Sequence, residues 1–148
     1  MTLRQTLLIT GASSGIGKEI ATLAAARGHT VVASAPTQDL LADIHDSAEL
    51  KLVIDICDPR SIEKALEKMD QAGINLTCLI NNAGYAQPGP IELIDDEQVR
   101  RQFEVNVFGT LAMTRATLPR LRAQSRPDRH GLIITMSSML GLVSSPYQ

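Results

Sequence analysis

Short apolar runs alternate with helical patterns along the 148 residues of this chain. The first run spans Thr6 to Thr10 and ends at Gly11, a pattern that predicts a buried strand. Further runs of the same kind cover residues 30–34, 50–56, 76–80 and 132–136. Because the runs are apolar almost throughout, both faces of the strands should be covered, which favours a parallel sheet between layers of helices.

Helical periodicity fills the segments between these runs. The side chains expected on the buried face of the first helix are Ile16, Ile20, Leu23 and Ala24. Gly28 should end that helix, and Asp58 and Pro59 suit the N-cap and N1 positions of a second one. Residues 95–122 are mostly helical in pattern and are expected to form two pieces.

The repeated alternation of strand and helix predicts an α/β fold with a doubly wound, Rossmann-like parallel sheet of five strands. The chain shows no internal repeat, low-complexity tract or linker. Residues 1–148 are therefore expected to form one domain, and the architecture is one that binds dinucleotides at the carboxyl ends of its strands.

Composition and charge narrow the class of protein. Hydrophobic residues make up 44% and charged residues 20%, which excludes disorder as the main state. A net charge of −2 gives no reason to expect nucleic acid or an anionic membrane as a partner. Two cysteines fit a reducing compartment, and the three histidines lack metal-ligand spacing. We expect a cytoplasmic protein with no metal site, targeting segment or membrane span.

A glycine-rich turn joins the first strand to the first helix. Its sequence is Thr10-Gly11-Ala12-Ser13-Ser14-Gly15-Ile16-Gly17. Gly11 permits a sharp turn, Gly15 leaves backbone open to a phosphate, and Gly17 lets the helix pack close to the strand. The free N–H groups at the start of the helix would face a pyrophosphate. A purely conformational role for the three glycines is the alternative.

The turn resembles the T-G-x-x-x-G-x-G motif of the short-chain dehydrogenase/reductase family, and the resemblance continues in order along the chain. Asn81-Asn82-Ala83-Gly84 matches the family's N-N-A-G, and Asp55-Ile56 resembles its adenine-contacting pair. Asn106 matches the helix asparagine of the catalytic tetrad, and Ser137-Ser138 matches the serine segment. Hydroxysteroid- and retinol-dehydrogenase-like members are the most similar branch. The resemblance implies hydride transfer between NAD(P)(H) and a small-molecule alcohol or carbonyl compound.

The same resemblance assigns roles to the matching residues. Ser138 would hydrogen-bond the substrate oxygen, with Ser137 as the competing candidate, and Asn106 would help to hold a water molecule in a proton relay. Besides the adenine-contacting pair, the cofactor-binding residues would be Gly11, Ser13, Ser14, Gly15, Ile16, Gly17, Asn82, Ala83 and Gly84. Of these, Asn82 and Ala83 would lie beneath the adenosine ribose and the nicotinamide side. Asn81 could equally be a structural link between strands.

The end of the second strand bears on the choice of cofactor. An acid there would accept hydrogen bonds from a ribose 2′-hydroxyl and repel a 2′-phosphate. The segment from Ala33 to Thr37 has no acid, and the first one follows at Asp39. We therefore expect NADP(H) to be preferred over NAD(H), with Ser13, Thr37 and Lys18 near the phosphate, although Pro36 stands where the family usually has a basic residue.

One departure from the family pattern is large. The Tyr of the family's Tyr-x-x-x-Lys motif would fall three positions beyond Gln148, and Tyr147 lies four positions too early with no Lys after it. We expect the 148 residues to be a fragment of a longer oxidoreductase that forms homo-oligomers. The fragment by itself is expected to be inactive. There are two alternatives. The chain is a truncated product that binds nucleotide or a partner without turnover, or another chain supplies the remaining part of the fold.

Overall fold

The computed structural model describes residues 4–143, and its core is one sheet of five parallel strands. The strands are β1 (Thr6–Ile9), β2 (Thr30–Ala35), β3 (Leu50–Val53), β4 (Cys78–Asn81) and β5 (Leu132–Thr135). Each lies in a run that the sequence predicts, although β3 is three residues shorter than its apolar run. Residues 54–57 leave the sheet instead and form part of the functional site.

The strand order is β3-β2-β1-β4-β5, so the chain reverses direction across the sheet between β1 and β4. Leu8 of β1 pairs in register with Val32 of β2 on one side and with Leu79 of β4 on the other. The predicted doubly wound parallel sheet is confirmed. In such sheets the crevice at the reversal point, outside the carboxyl ends of the strands, is where ligands bind.

Four α-helices flank the sheet. They are α1 (Gly15–Ala26), α2 (Pro59–Gln71), α3 (Asp96–Phe103) and α4 (Thr110–Ala123). A π-helical turn, Glu104–Gly109, joins α3 directly to α4, so the two predicted pieces form one continuous helical segment. Short 3₁₀ turns occupy Asp39–Asp43, Ile91–Leu93 and Met139–Gly141.

Two hydrophobic clusters cover the two faces of the sheet. Leu7 and Ile9 of β1 pack with α1 on one face, while Leu8 packs with α2 and α4 on the other. The alternation follows from the two-residue period of a strand. This double coverage explains why the strands are apolar throughout rather than at alternate positions.

The buried face of α1 differs from the expected one. Ile16 is 63% exposed and Leu23 is 55% exposed, whereas Gly17, Ala21 and Ala24 are buried. The small side chains let this helix lie close to β1, and the larger side chains of Ile16 and Leu23 lie on the side that faces solvent. The apolar spacing was correct for a helix. Of the four expected residues, Ala24 is buried and Ile20 packs against the core, whereas Ile16 and Leu23 are exposed.

The ends of the helices are largely as the sequence predicts. Asp58 is the N-cap of α2, where its side chain accepts a hydrogen bond from the Arg60 N–H at 2.9 Å, and Pro59 is the first helical residue. Gly28 follows α1 with a φ of 81°, in the left-handed region that favours glycine. None of the helices in residues 4–143 combines the length and apolar character needed to cross a membrane.

Strand β5 is an exposed edge. All four of its residues are exposed, including Leu132 at 50% and Ile134 at 39%. An unprotected apolar edge strand is unusual because it invites pairing with other chains.

Candidate functional site

A cavity of about 600 Å³ opens at the carboxyl edge of the sheet, at the reversal between β1 and β4. The predicted site residues that line it are Gly11, Ser13, Ser14, Gly15, Ile16, Asp55, Ile56, Asn82, Ala83 and Gly84. Gly17 lies behind this lining, and neither Asn106 nor Ser138 belongs to it. The structure therefore brings the predicted nucleotide-binding residues together and leaves the two predicted catalytic residues outside.

The glycine turn is shaped by close backbone contacts. Gly11 has a φ of 65°, and a Cβ there would lie 3.0 Å from the Cα of Ala83. A Cβ on Gly17 would collide with the Asn82 amide and the Gly11 carbonyl. Gly15 has a φ of 53° but faces open space, since a Cβ added there would have no neighbouring atom within 4 Å. Two of the glycines are thus needed inside the fold, and Gly15 leaves room on the cavity side.

The backbone N–H groups at the start of α1 receive no hydrogen bond acceptor from the side chain of the N-cap residue. Ser14 is the N-cap but makes no side-chain capping bond, and the first turn holds no acid. In contrast, α2 is capped by Asp58, and a capping box joins Asp95 to Gln98 at the start of α3. The first N–H groups and the positive end of the α1 dipole therefore remain available to an anion in the cavity.

Thr10 links the glycine turn to the segment after β4. Its buried hydroxyl accepts hydrogen bonds from the N–H groups of Asn82 and Ala83, both at 3.0 Å. The Asn82 side chain donates to the carbonyls of Thr10 and Gly11, at 2.9 and 3.1 Å. The amide of Asn82 thus fixes the turn, while the rest of the residue faces the cavity. The sequence interpretation did not identify this role of Thr10.

Asn81 makes the structural link that the sequence left as an alternative. Its Nδ2 donates to the hydroxyls of Thr114 on α4, at 3.1 Å, and Thr135 on β5, at 3.4 Å. Its Oδ1 is buried without a hydrogen-bond partner among the described residues. Asn81 therefore connects β4 to both neighbouring elements and does not face the cavity.

Asn106 lies in the π-helical turn and holds the loop that follows β4. Its Oδ1 accepts from the N–H of Tyr85 at 3.0 Å, and its Nδ2 donates to the Tyr85 carbonyl at 2.7 Å. A Cβ on Gly84 would approach Oδ1 at 3.1 Å, which accounts for the glycine there. In this arrangement the amide of Asn106 is committed to positioning Tyr85, which lines the cavity.

Asp55, Ile56 and Cys57 form the cavity wall beyond β3. One oxygen of Asp55 accepts from the N–H of Cys57 at 2.9 Å, which curls the segment into a turn. Ile56 is buried and packs against Gly109 of the π-helical turn, where a Cβ would lie 2.7 Å from Cγ1. Burial raises the pKa of the Cys57 thiol, while the positive charge of Arg101 lowers it by a smaller amount. Cys57 should therefore be protonated near neutral pH.

Several residues complete the cavity without having been predicted to do so. They are Pro36, Leu40, Ile54, Cys57, Tyr85, Arg101 and Val105. Arg101 and Val105 are four residues apart, so they project from the same side of the helical segment. The sequence analysis did not single out Arg101. The signal that could have identified it is this spacing relative to Val105, next to Asn106.

Ser138 lies just beyond β5 at the same edge of the sheet. It is exposed and caps the Met139–Gly141 turn, accepting a hydrogen bond from the Leu140 N–H at 3.1 Å. Ser137, the competing candidate, directly precedes it. Tyr147 lies outside the described residues.

The arrangement suits a nucleotide diphosphate. The cavity offers an open helix start for phosphate, an apolar slot formed by Leu40, Ile54, Ile56 and Val105, and one carboxylate at Asp55. Its volume lies in the range of ligand pockets. Within residues 4–143, no three His, Cys, Asp or Glu side chains are grouped so that they could bind a metal ion.

Comparison with known proteins identifies many relatives. Residues 5–148 match the family described as short chain dehydrogenase. A 3-ketodihydrosphingosine reductase from Bacteroides thetaiotaomicron is 36% identical over 146 residues, covering 97% of this chain but 51% of that protein.

Solved structures share the fold. A short-chain dehydrogenase from Streptomyces avermitilis aligns with a TM-score of 0.83 at 33% identity, covering 98% of this chain and 53% of that one. The closed form of a serine dehydrogenase complexed with NADP+ aligns with a TM-score of 0.85 at 28% identity, covering 97% and 58%. The chain thus spans about half the length of the curated relatives that it matches.

Proposed function

The chain belongs to the short-chain dehydrogenase family, and from its site we propose that the protein carrying it is an NAD(P)-dependent oxidoreductase. The reaction would interconvert an alcohol with a ketone or aldehyde. The observation that carries this proposal is the open start of α1, which faces a cavity at the reversal point of the sheet. An anionic dinucleotide satisfies both the free N–H groups and the helix dipole.

Each part of the cofactor has residues suited to it. The N–H groups at residues 14–17 would bind the pyrophosphate, and Asp55 and Ile56 would contact the adenine. The backbone of Asn82 and Ala83 would lie along the ribose on the nicotinamide side. When bound, the nicotinamide ring supplies or accepts the hydride.

NADP(H) is our preferred form of the cofactor. The last residues of β2 and the start of its loop, Ala35, Pro36 and Thr37, carry no acid that would repel a 2′-phosphate. Ser13 and Pro36 line the cavity, so the hydroxyl of Ser13 would be able to donate to the phosphate. The serine dehydrogenase with NADP+ is a structural relative with this cofactor, which supports the choice.

Substrate chemistry would centre on Ser138. A hydroxyl can donate to a carbonyl oxygen or accept from an alcohol, so it serves both directions of the reaction. Ser138 is exposed at the carboxyl edge of the sheet, beyond β5, which neighbours β4. Asn106 would act by holding Tyr85 and, as the family resemblance implies, by binding a relay water. The bacterial relative named as a ketone reductase supports a carbonyl substrate.

Turnover should require more than residues 1–148. These residues contain no Tyr-x-x-x-Lys pair to exchange the proton, and loss of a general acid–base group typically costs about 10²–10⁴-fold in rate. The second candidate function is a nucleotide-binding module without turnover, which the open start of α1 and the cavity would serve equally. Oxidation of NADPH by residues 1–148 alone would contradict the expected inactivity.

The test compares two adjacent serines in the intact gene product. NADPH oxidation is followed against a panel of ketones and aldehydes. Ser138→Ala should lower kcat by about 10²–10³-fold, as for the loss of one donor to a reacting oxygen. Ser137→Ala is the matched control and should leave kcat close to that of the wild type. Equal activity of Ser138→Ala and wild type would refute the role of Ser138, and no turnover of any substrate would favour the binding module.

A further inference from the structure

Arg101 is the one basic side chain among the described residues that line the main cavity. It lies on α3, one helical turn before Val105, which lines the same cavity. Asp55 is the single acid in the lining. Arg101 also lines a smaller cavity, together with Tyr85, Asp95 and Glu97. Its exposed side chain therefore lies where the two cavities border each other.

The surroundings of Arg101 place it near residues 55–57. Its positive charge reaches the Cys57 thiol, and both residues line the same cavity. The two ion pairs in residues 4–143 join Lys51 to Asp46 and Arg120 to Asp70, so the Arg101 guanidinium is in neither. Its charge and planar face are therefore available to a ligand.

The layout of the cavity separates the parts of a dinucleotide. The pyrophosphate belongs at the start of α1, and the substrate oxygen belongs near Ser138, beyond β5. The adenosine half must then extend the other way, toward the ends of β2 and β3. There the cavity is an apolar slot between Leu40, Ile56 and Val105, of a kind suited to a flat aromatic ring.

We propose that Arg101 is a specificity-determining residue for the adenosine half of the cofactor, with its guanidinium stacked on the outer side of the adenine. Ile56 and Val105 form the inner side of the same slot. Guanidinium groups stack readily on aromatic faces, where the charge and the flat shape both contribute. The inference rests on the proposed function, since it requires that a nicotinamide dinucleotide occupies this cavity.

Arg100 provides a matched control. It is the neighbouring arginine on α3, but it lines a separate cavity with Asp96, Phe103 and Phe108. Removing either arginine changes the net charge equally and takes away a side chain from an exposed stretch of helix. The two variants therefore differ in the site that the lost guanidinium faces.

The experiment measures the Kd of NADPH and of 2′,5′-ADP by calorimetry on the intact gene product. The second ligand keeps the adenosine half and lacks nicotinamide. Arg101→Ala should weaken both ligands by the same factor, about tenfold. Arg101→Lys keeps the charge without the planar face and should recover only part of the loss. Arg100→Ala should bind both ligands as the wild type does, and equal melting temperatures of the two alanine variants would exclude a folding effect.

The contrary outcomes are distinct. The inference is wrong if Arg101→Ala binds like Arg100→Ala, if the loss affects NADPH but not 2′,5′-ADP, or if Arg101→Lys restores full affinity through charge alone. A wild-type protein that binds neither ligand would overturn the proposed function, and the inference with it.

Discussion

Three asparagine side chains hold the carboxyl edge of the sheet in its functional shape. Asn82 bonds the glycine turn, Asn81 links β4 to α4 and β5, and Asn106 holds the loop at Tyr85. Asn81 and Asn82 act as donors through Nδ2, whereas Asn106 both donates and accepts. Their positions were predictable from the motif, but their partners lie 21 to 72 residues away in sequence, so local pattern did not reveal them.

At the residue scale, cofactor preference should depend on Pro36. This residue lines the cavity at the end of β2, so Pro36→Asp would place a carboxylate where the 2′-phosphate is expected. The variant should weaken NADPH by about tenfold or more through like-charge repulsion, while NADH binding is unchanged or improved. The Kd values of both cofactors, measured by calorimetry, give the result.

Gln38→Asp is the control for this prediction. It adds the same charge two residues further on, at an exposed position outside the cavity lining. It should leave the ratio of the two Kd values close to that of the wild type. An equal loss of NADPH and NADH affinity in Pro36→Asp would contradict the placement of the 2′-phosphate.

At the scale of elements, the β1–α1 turn combines a structural glycine with a functional one. Gly17 has no room for a side chain because the Asn82 amide and the Gly11 carbonyl occupy the space, whereas Gly15 faces open space. The spacing predicted the close packing at Gly17, whereas the role of Gly15 beside a phosphate stays a prediction. The apolar pattern identified Ala24 on the buried face of α1 but missed Gly17 and Ala21, which carry too little apolar surface to stand out.

Alanine at the two positions should therefore have different effects. Gly17→Ala should lower the free energy of unfolding by about 1–3 kcal/mol through overpacking, and cofactor binding should be lost with the shape of the turn. Gly15→Ala should lower it by about 1–2 kcal/mol because its φ is left-handed. It should weaken NADPH binding without a comparable loss of structure. Urea unfolding measures the stability of the two variants, and calorimetry measures their affinity for NADPH. Unchanged NADPH affinity of Gly15→Ala would contradict a phosphate site at this turn.

The segment from α3 to α4 shows a second limit of sequence patterns. Periodicity indicated two helices, but the π-helical turn joins them without a break. The turn brings Gly109 against Ile56 and Asn106 against Tyr85, contacts between distant parts of the chain. A turn stabilised by tertiary contacts leaves no regular signal in the local spacing of apolar residues, so its position could not be predicted.

For the whole molecule, the order of strands and helices was predicted from apolar runs because both faces of the sheet are buried. The cavity followed from topology, since it lies where the chain reverses between β1 and β4. The outer walls of the cavity, at Pro36 and Arg101, could not be predicted from topology. They depend on how loops and helices pack across the carboxyl edge of the sheet. Strand β5 is exposed, and the chain spans about half the length of the curated relatives that it matches.

The central claim is that this cavity binds a nicotinamide dinucleotide. Hydrogen exchange of the intact gene product, followed by mass spectrometry with and without NADPH, tests both binding and location. NADPH should slow exchange in peptides covering residues 11–18, 54–58 and 82–85, where backbone N–H groups face or border the cavity. Peptides covering 115–130, on the basic helix and loop away from the cavity, should be unchanged. No protection at saturating NADPH, or protection confined to 115–130, would contradict the account.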